Sequence, residues 1–523
     1  MKPVTRGAGG AAGRRAVARG RLAVAAGSLA VLLAGCAVGP NFAPPKPDVP
    51  STWSRTALGG ARGGASAAES GTSRAGGASA IDTSTPTIAE WWSSFKDPTL
   101  TSLIERSLGA NLDLREAVVR IEEARAQRQQ TAAGLWPTLA ANASFTRQRF
   151  SLNTPNGAVF GIAGSGGIAG LPSGVTISNP FDQYQLGLSA SWEIDLFGRV
   201  RRSVEAANAD LQSAVESARG VRISLASDVS EAYIDLRGAQ RKRSIVEQSL
   251  ATQRDLYELT RERWNAGLTT DLDVENASSE VSATRAQLPP LDREITQDVN
   301  QLSRLINREP DALRAELEQA RPVPPVPPRV PIGLPAELAR RRPDIREAEA
   351  SLHAATARVG VAVADLFPRL TLSAAGGYQS EGLSRLIETA SRFASFGPTL
   401  ELPIFEAGAR RAVIRLQTAR EKEAAIDYAR VVLGALNEVE NALAAYASEQ
   451  DSRVSLAAAS QSSENALTLA RQRYASGLAS FIDVLDAERT LEQNQLSLAQ
   501  STTAESTDLV ELYRALGGGW SGP

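Results

Sequence analysis

Leu186-Gly187-Leu188-Ser189-Ala190-Ser191-Trp192-Glu193-Ile194-Asp195-Leu196 carries an apolar residue at every even position. Side chains alternate across a β-strand, so this stretch presents one apolar and one polar face. Three other segments show the same period. Leu139, Ala141, Ala143 and Phe145 alternate with Ala140, Asn142, Ser144 and Thr146. Leu370, Leu372 and Ala374 alternate with Thr371 and Ser373, and Pro398, Leu400, Leu402 and Ile404 with Thr399, Glu401 and Pro403. Period two at about ten residues per segment suits strands with lipid on one face and water on the other. A half-buried sheet of a water-soluble domain would show the same period, but the rest of the chain offers no further strands to build one. Four strands cannot close a barrel; about eight are needed, so a barrel reading requires several chains.

Outward from these strands the chain repeats itself. Asp113-Leu114-Arg115-Glu116-Ala117 and Leu135-Trp136-Pro137 return as Asp344-Ile345-Arg346-Glu347-Ala348 and Leu366-Phe367-Pro368, 231 residues later. Arg263-Trp264-Asn265-Ala266-Gly267-Leu268 and Asp273-Val274 return as Arg473-Tyr474-Ala475-Ser476-Gly477-Leu478 and Asp483-Val484, 210 residues later. The first half therefore holds about 21 extra residues in its strand–loop–strand region, in keeping with a longer surface loop rich in Gly, Ser and Asn. Duplication favours a symmetric wall or tube over an enzyme cleft.

The rest reads as helix. A first helix is expected from about Pro98 to Trp136, with proline at its opening turn. From Arg199 to Asn265, glycine and proline are nearly absent. Leu211, Ala214, Ala218, Val221, Leu225, Val229 and Ala232 recur at three- and four-residue steps, as a coiled-coil-like seam requires. Sixty-odd helical residues would reach about 90–100 Å. A matching helix is expected from Ala409 to Ala475. Return helices should follow Gly267 and Gly477, with Pro289-Pro290 kinking the first. Arg321 to Pro335 holds seven prolines and reads as an irregular connector that is neither helix nor central strand.

The amino terminus carries Arg6, Arg14, Arg15, Arg19 and Arg21 before an apolar run of about 12 residues, Leu22 to Leu33, too short to span a bilayer and suited to a signal peptide. Leu33-Ala34-Gly35-Cys36 resembles the bacterial lipobox, which implies diacylglycerol and an N-acyl chain on Cys36, the sole cysteine. Ala37, in place of an inner-membrane-retaining Asp, favours the outer membrane. After Cys36 no run approaches a transmembrane helix in length. The expected organisation is a leader at 1–35, an extended and Gly/Ala/Ser-rich linker at 36–90, a first repeat at 91–320, the connector at 321–340, a second repeat at 341–516 and a tail at 517–523. Strands are expected near 138–148, 182–196, 369–379 and 395–404.

Val38-Gly39-Pro40, Trp92, Phe95-Lys96-Asp97-Pro98-Thr99-Leu100, Asp195-Leu196-Phe197-Gly198-Arg199, Arg342-Pro343-Asp344-Ile345, Phe367-Pro368 and Pro403-Ile404-Phe405 follow the lipobox in this order. The series resembles the TolC-like outer-membrane factors, in particular the NodT or OprM-like lipoprotein branch, over about residues 36–516. The resemblance implies a mainly α protein with membrane β-structure. In that fold a homotrimer shares a 12-stranded β-barrel, four strands per chain, continuous with a long periplasmic α-helical barrel. It implies a passive outer-membrane exit duct of a Gram-negative cell for small toxic molecules. The partners implied are a periplasmic adaptor protein and an inner-membrane pump of the resistance-nodulation-division type. A duct for type I protein secretion and a structural coiled-coil lipoprotein are the alternatives; the lipobox favours efflux over the first and the alternating strands oppose the second.

Catalysis is not expected. His353 is the sole histidine, and the Gly-rich stretch from Gly161 to Gly170 lacks the Lys-Ser/Thr of a phosphate-binding loop. No cofactor or metal is expected beyond the covalent lipid. A net charge of −2 gives no pull toward nucleic acid. Gly267-Leu268 and Gly477-Leu478 sit where long helices reverse, and the resemblance implies that these tips face the adaptor. Asp483 and Asp486, three apart on one helix face, match acidic positions that ring the closed periplasmic end in TolC-like proteins. Gathered by symmetry, such carboxylates should raise one another's pKa. Tyr474 and Asp273 match positions that hydrogen-bond between hairpins. Ala479 stands where some members carry a latch arginine, which weakens the case for an arginine-based latch.

Overall fold

The computed structural model describes residues 37–46, 49–54, 80–82, 89–151, 153–154 and 179–520. Cys36 and most of the Gly/Ser-rich segment at 149–181 lie outside them. The strands are β1 (Ala80–Asp82), β2 (Thr138–Gln148), β3 (Phe181–Ile194), β4 (Arg329–Pro331), β5 (Arg369–Ser380) and β6 (Arg392–Glu401). The helices are α1 (Pro98–Ala110), α2 (Leu112–Ala133), α3 (Arg199–Asn265), α4 (Asp271–Ala286), α5 (Leu288–Leu305), α6 (Arg314–Leu317), α7 (Pro335–Arg341), α8 (Pro343–Ala364), α9 (Ala409–Ala475) and α10 (Phe481–Ala515). The chain forms two compact units, and each draws on both sequence repeats. One comprises Ala124–Asp210 and Leu352–Ala424 with the segment ending at Ala43; the other comprises Pro44–Glu123, Leu211–Ser351 and Ala425–Pro523.

In the first unit, β2, β3, β5 and β6 form one antiparallel sheet in the order β2-β3-β5-β6. The register aligns the apolar sets. Ala141 pairs with Leu188 and Leu188 with Gly376; Ala143 pairs with Leu186 and Leu186 with Tyr378; Ile194 pairs with Leu370 and Leu370 with Leu400. Because a one-residue slip would invert every side chain, this register gives one continuous apolar face. Leu139, Phe145, Leu188, Phe396 and Leu400 are exposed on it. Asn142, Ser189, Ser191, Thr371, Ser373 and Thr399 occupy the other face, where the Asn142 amide donates to Ser189 Oγ at 2.7 Å. Phe181 and Phe393 also fall on that face, and the Phe393 ring lies beside Gly187. Strand β6 starts earlier than expected, at Arg392, and ends at Glu401, because Pro403 breaks the ladder before Ile404. Pro398 is tolerated because β6 is an edge strand.

The duplication is plain in the backbone. Both α3 and α9 have 67 residues. Each follows a glycine with positive φ, Gly198 at +85° and Gly408 at +84°, a conformation that side chains with a Cβ resist.

The core of the second unit gathers Trp53, Trp91, Trp92 and Phe95 against Leu225, Val229, Tyr233, Leu443, Tyr446, Leu509 and Tyr513. The Phe95–Leu100 motif is a helix start. Asp97 accepts from the amides of Thr99 and Leu100 at 2.8 and 3.1 Å, and its other oxygen accepts from the Tyr233 hydroxyl at 2.9 Å. Arg342 of the Arg-Pro-Asp-Ile motif is buried. It pairs with Asp344 and Glu438, and donates to the Ala515 carbonyl at 2.8 Å.

Several expectations need correction. The first helix is two helices: Asn111 interrupts it, donating its amide to the Leu305 carbonyl at 3.0 Å and capping Leu114, and α2 stops at Ala133. Pro289-Pro290 opens α5 after a break at Gln287, because a helix tolerates proline in its first turn. The 36–90 segment is not free throughout. Trp53 is buried, with its indole donating to the Gly333 carbonyl at 3.0 Å, and β1 pairs in parallel with β4. The connector thus contains a strand at Arg329–Pro331, in a two-stranded sheet, and ends in α7, which proline opens.

The two faces of β3 should differ sharply in tolerance. Leu188→Arg is expected to cost about 2–4 kcal/mol if the apolar face meets the middle of a bilayer, and Ser189→Arg much less. The check is the yield of folded, protease-resistant protein in membranes; equal losses would contradict the assignment of the faces.

Candidate functional site

The two hairpin ends are built alike from local backbone rules. At the end of α3 the Gly267 amide bonds the Trp264 carbonyl at 2.9 Å and the Leu268 amide bonds the Arg263 carbonyl at 2.8 Å. At the end of α9, Gly477 and Leu478 bond Tyr474 and Arg473 at the same distances. This is the Schellman pattern, and its glycine needs positive φ; Gly267 has +71° and Gly477 +73°. A Cβ at either would meet no neighbour, so backbone conformation alone demands glycine. In such motifs the residue after the glycine commonly packs back on the helix. Here Leu268 and Leu478 are about 70% exposed, and Leu272 and Ile482 beside them are exposed too.

The return helices then start with matching capping boxes, Thr270 with Asp273 and Ser480 with Asp483. Asp273 Oδ2 accepts from the Thr269 and Thr270 hydroxyls at 2.5 and 2.9 Å. Asp483 Oδ2 accepts from the Ser480 amide and hydroxyl at 2.8 and 2.7 Å. Hydrogen bonds to the charged form favour it. Those from Thr269 and then Thr270 hold Asp273 below the usual carboxylate range, and those from Ser480 do the same for Asp483. Within one chain, then, the Asp483 pKa falls rather than rises. Asp483 and Asp486 are both exposed on the first turns of α10.

Tyr474 and Asp273 are not joined in this chain, contrary to expectation, because local partners occupy the Asp273 carboxylate. Tyr474 is buried under the Arg263 guanidinium, 4.4 Å from its ring centroid, and Arg263 donates to the Tyr474 carbonyl at 2.8 Å. Its ring meets Phe481 edge-on at 6.2 Å. Its repeat counterpart Trp264 is exposed. Within one chain, Tyr474 thus packs the second hairpin end.

In the first unit, the segment that follows Cys36 is fastened to a strand-to-helix corner. The Val38 amide donates to the Phe197 carbonyl at 3.1 Å. Ala37 lies so close to Gly198 that a Cβ there would come within 2.8 Å of its Cα. Buried Arg202 donates to Asn41 Oδ1 at 2.5 Å and to Glu205 Oε2 at 2.7 Å. His353 Nε2 lies 3.0 Å from Glu205 Oε1, and its ring stacks on Phe42 at 4.3 Å. His353 is therefore half-buried and structural. Sequence reading singled out neither Arg202 nor the buried Glu488 of α10, since neither departs from the pattern of its helix.

Comparison with known proteins fits this geometry. The chain is 34% identical to outer membrane protein OprJ of Pseudomonas aeruginosa, over 93% of this chain and 94% of that protein. It is 32% identical to the toluene efflux pump outer membrane protein TtgC of Pseudomonas putida, over 94% of each. The solved structure of the outer-membrane channel OprN superposes with a TM-score of 0.79 at 34% identity, covering 93% of this chain and all of that one. The sequence profile of the outer membrane efflux protein family matches residues 103–308 and 334–518. The protein is a member of the outer membrane efflux protein family, a family of transport channels, and its place is the outer membrane.

Proposed function

We propose that three copies of this chain pair edge to edge, β6 of one on β2 of the next, to close a twelve-stranded barrel continuous with a helical tunnel. The assembly is a passive exit duct for small toxic molecules. One observation carries this reading: a continuous apolar face crosses four strands whose two outer strands have free edges among the described residues of the isolated chain. In hydrocarbon every backbone N–H and C=O needs a partner, so such a sheet must close. Successive strands alternate in direction, so β6 and the next β2 are antiparallel, as the rest of the sheet is. Eight strands from two chains would fill their own interior with side chains, whereas twelve leave a passage. Energy comes from an inner-membrane pump, of the resistance-nodulation-division type, through a periplasmic adaptor; the name of the toluene-pump relative supports that class of cargo.

Cys36 carries the lipid in this reading. Multiple acyl chains give stable anchoring, and the strap at Ala37 and Val38 would hold them beside the strand-to-helix corner. Cys36→Ser should abolish incorporation of labelled palmitate, with milder effects on insertion because the barrel anchors itself. Undiminished label would refute lipidation.

The exposed leucines at Gly267-Leu268 and Gly477-Leu478 are read as the adaptor's docking knobs. A β-branched residue at either glycine is strained in the left-handed region, at about 1–3 kcal/mol, and would reshape the end. Gly477→Val should leave folded, inserted trimers but lower drug resistance and adaptor cross-linking. Retention of both would remove the docking role.

Asp483 and Asp486 are read as the acidic constriction, six carboxylates about a threefold axis. Such a ring favours cations while it is the narrowest point. Purified protein in a planar bilayer should conduct ions with cation preference, and Asp483→Ala with Asp486→Ala should reduce that preference. Absence of any conductance would overturn the duct itself; unchanged selectivity in the variant would overturn only the ring.

A further inference from the structure

Behind the second hairpin end lie two layers of different chemistry. The first is apolar: Phe481, Val484 and Leu485 of α10 pack with Leu467 and Tyr474 of α9, Leu256 of α3 and Ala277 of α4. One turn further along α10 come Glu488 and Glu492, both buried, facing Glu280 of α4.

The three carboxylates are not equally served. Glu492 accepts from Ser249 Oγ at 2.5 Å, from the Gln287 amide at 3.0 Å and, more weakly, from Gln253 at 3.4 Å. Glu280 is paired in two-pronged fashion with Arg489. Glu488 is only 3% exposed, and neither of its oxygens receives a hydrogen bond among the described residues. Among the described residues its ion-pair partner is the Arg471 guanidinium of α9, at 3.6 Å and itself partly exposed. Arg489, on the same helix, is engaged with Glu280, and α3 offers only the neutral Ser249 and Gln253. The counterparts of Glu488 and Glu492 in the first repeat, 210 residues earlier, are Ser278 and Ser282, which cannot titrate.

We propose that Glu488 is a proton-responsive positioning residue: neutral, it lets the start of α10 pack closely on α4 and α9, and ionised, it drives α10 away from Glu280. Because α10 begins at Phe481, such a movement carries Asp483 and Asp486 with it. The consequence for conduction rests on the reading of those two aspartates as the constriction; the movement itself does not.

Burial lifts the Glu488 carboxyl to about 7, with Arg471 opposing the rise and Glu492 and Glu280 adding to it. The packed arrangement therefore holds a proton that a solvated glutamate would lose near its ordinary value of about 4.3. Close packing is favoured at acid pH and opposed as pH rises through neutrality.

The test is a pulsed spin-label distance between Ser279→Cys on α4 and Gln493→Cys on α10, both exposed. It uses the full chain in lipid between pH 5.5 and 8.5, with a control lacking the added cysteines. The distance should lengthen with a midpoint near pH 7. Glu488→Gln should hold the short distance throughout. Arg471→Gln should move the midpoint upward, since it removes the cation favouring ionisation; should Glu488→Gln fail to insert, this shift carries the test alone. A pH-independent distance in the unsubstituted background, an unshifted midpoint in Arg471→Gln, or a persisting response in Glu488→Gln would each overturn the proposal. Bilayer recordings separate the two readings. A distance change with no change in open probability supports the role of Glu488 and overturns that of the aspartates as the constriction.

Discussion

Unpaired backbone at a sheet edge is the constraint on which the rest of this molecule depends. The four strands of one chain bury no apolar face of their own; they expose Leu139, Phe145, Leu188, Phe396 and Leu400 together. In water such a surface would be an aggregation hazard. In a bilayer the exposed face is solvated, but the free N–H and C=O groups of the two edge strands are not. Only further strands can satisfy them. The sheet of one chain is thus incomplete by itself in a bilayer, and the family to which the chain belongs is one of channels.

That constraint also accounts for the helix ends. A duplicated unit that must join a sheet to long helices needs the same reversals twice, and these are set by backbone conformation rather than by packing. Gly198 and Gly408 start the long helices, Gly267 and Gly477 end them, and all four have positive φ. Thr270 with Asp273 and Ser480 with Asp483 start the return helices through the same reciprocal bonds. Two long helices of equal length, each followed by a return helix with the same cap, are hard to obtain except by duplication, so the repeat in sequence and the repeat in structure have one cause.

Much of this was legible because it rests on local rules. Alternation at Leu186–Leu196 announces a strand, and cross-strand register follows once one face must be apolar. Gly-Leu after Arg-aromatic announces a helix end. What was not legible depends on contacts distant in sequence. Trp53 sits in a run of small and polar residues, and only the Gly333 carbonyl, 280 residues away, explains its burial. Strands β1 and β4 have three residues each, too few for any period to show. Within one chain the Tyr474–Asp273 pairing is absent for a different reason. A residue match carries no account of competitors, and Thr269 and Thr270 reach the Asp273 carboxylate from one turn away. Glu488 is the hardest case, since a buried glutamate and a solvated one look alike in a helix already rich in acids.

The asymmetry between the repeats is as informative as their likeness. Backbones agree at the hairpin ends, yet Trp264 is exposed where Tyr474 is buried, and Ser278 and Ser282 stand where Glu488 and Glu492 stand. Symmetric scaffolding with unlike side chains separates two demands. The first hairpin has neutral serines at the matching positions, and its own buried acid, Glu280, is neutralised by Arg489. The second keeps an ionisable group in a place where ionisation is costly, so its packing free energy depends on conditions. If both hairpins carried the acids, repulsion would act at two contacts and destabilise the unit as a whole. If neither did, the ends would be equally rigid. Placing these acids on α10 confines the protonation-dependent packing to the second hairpin.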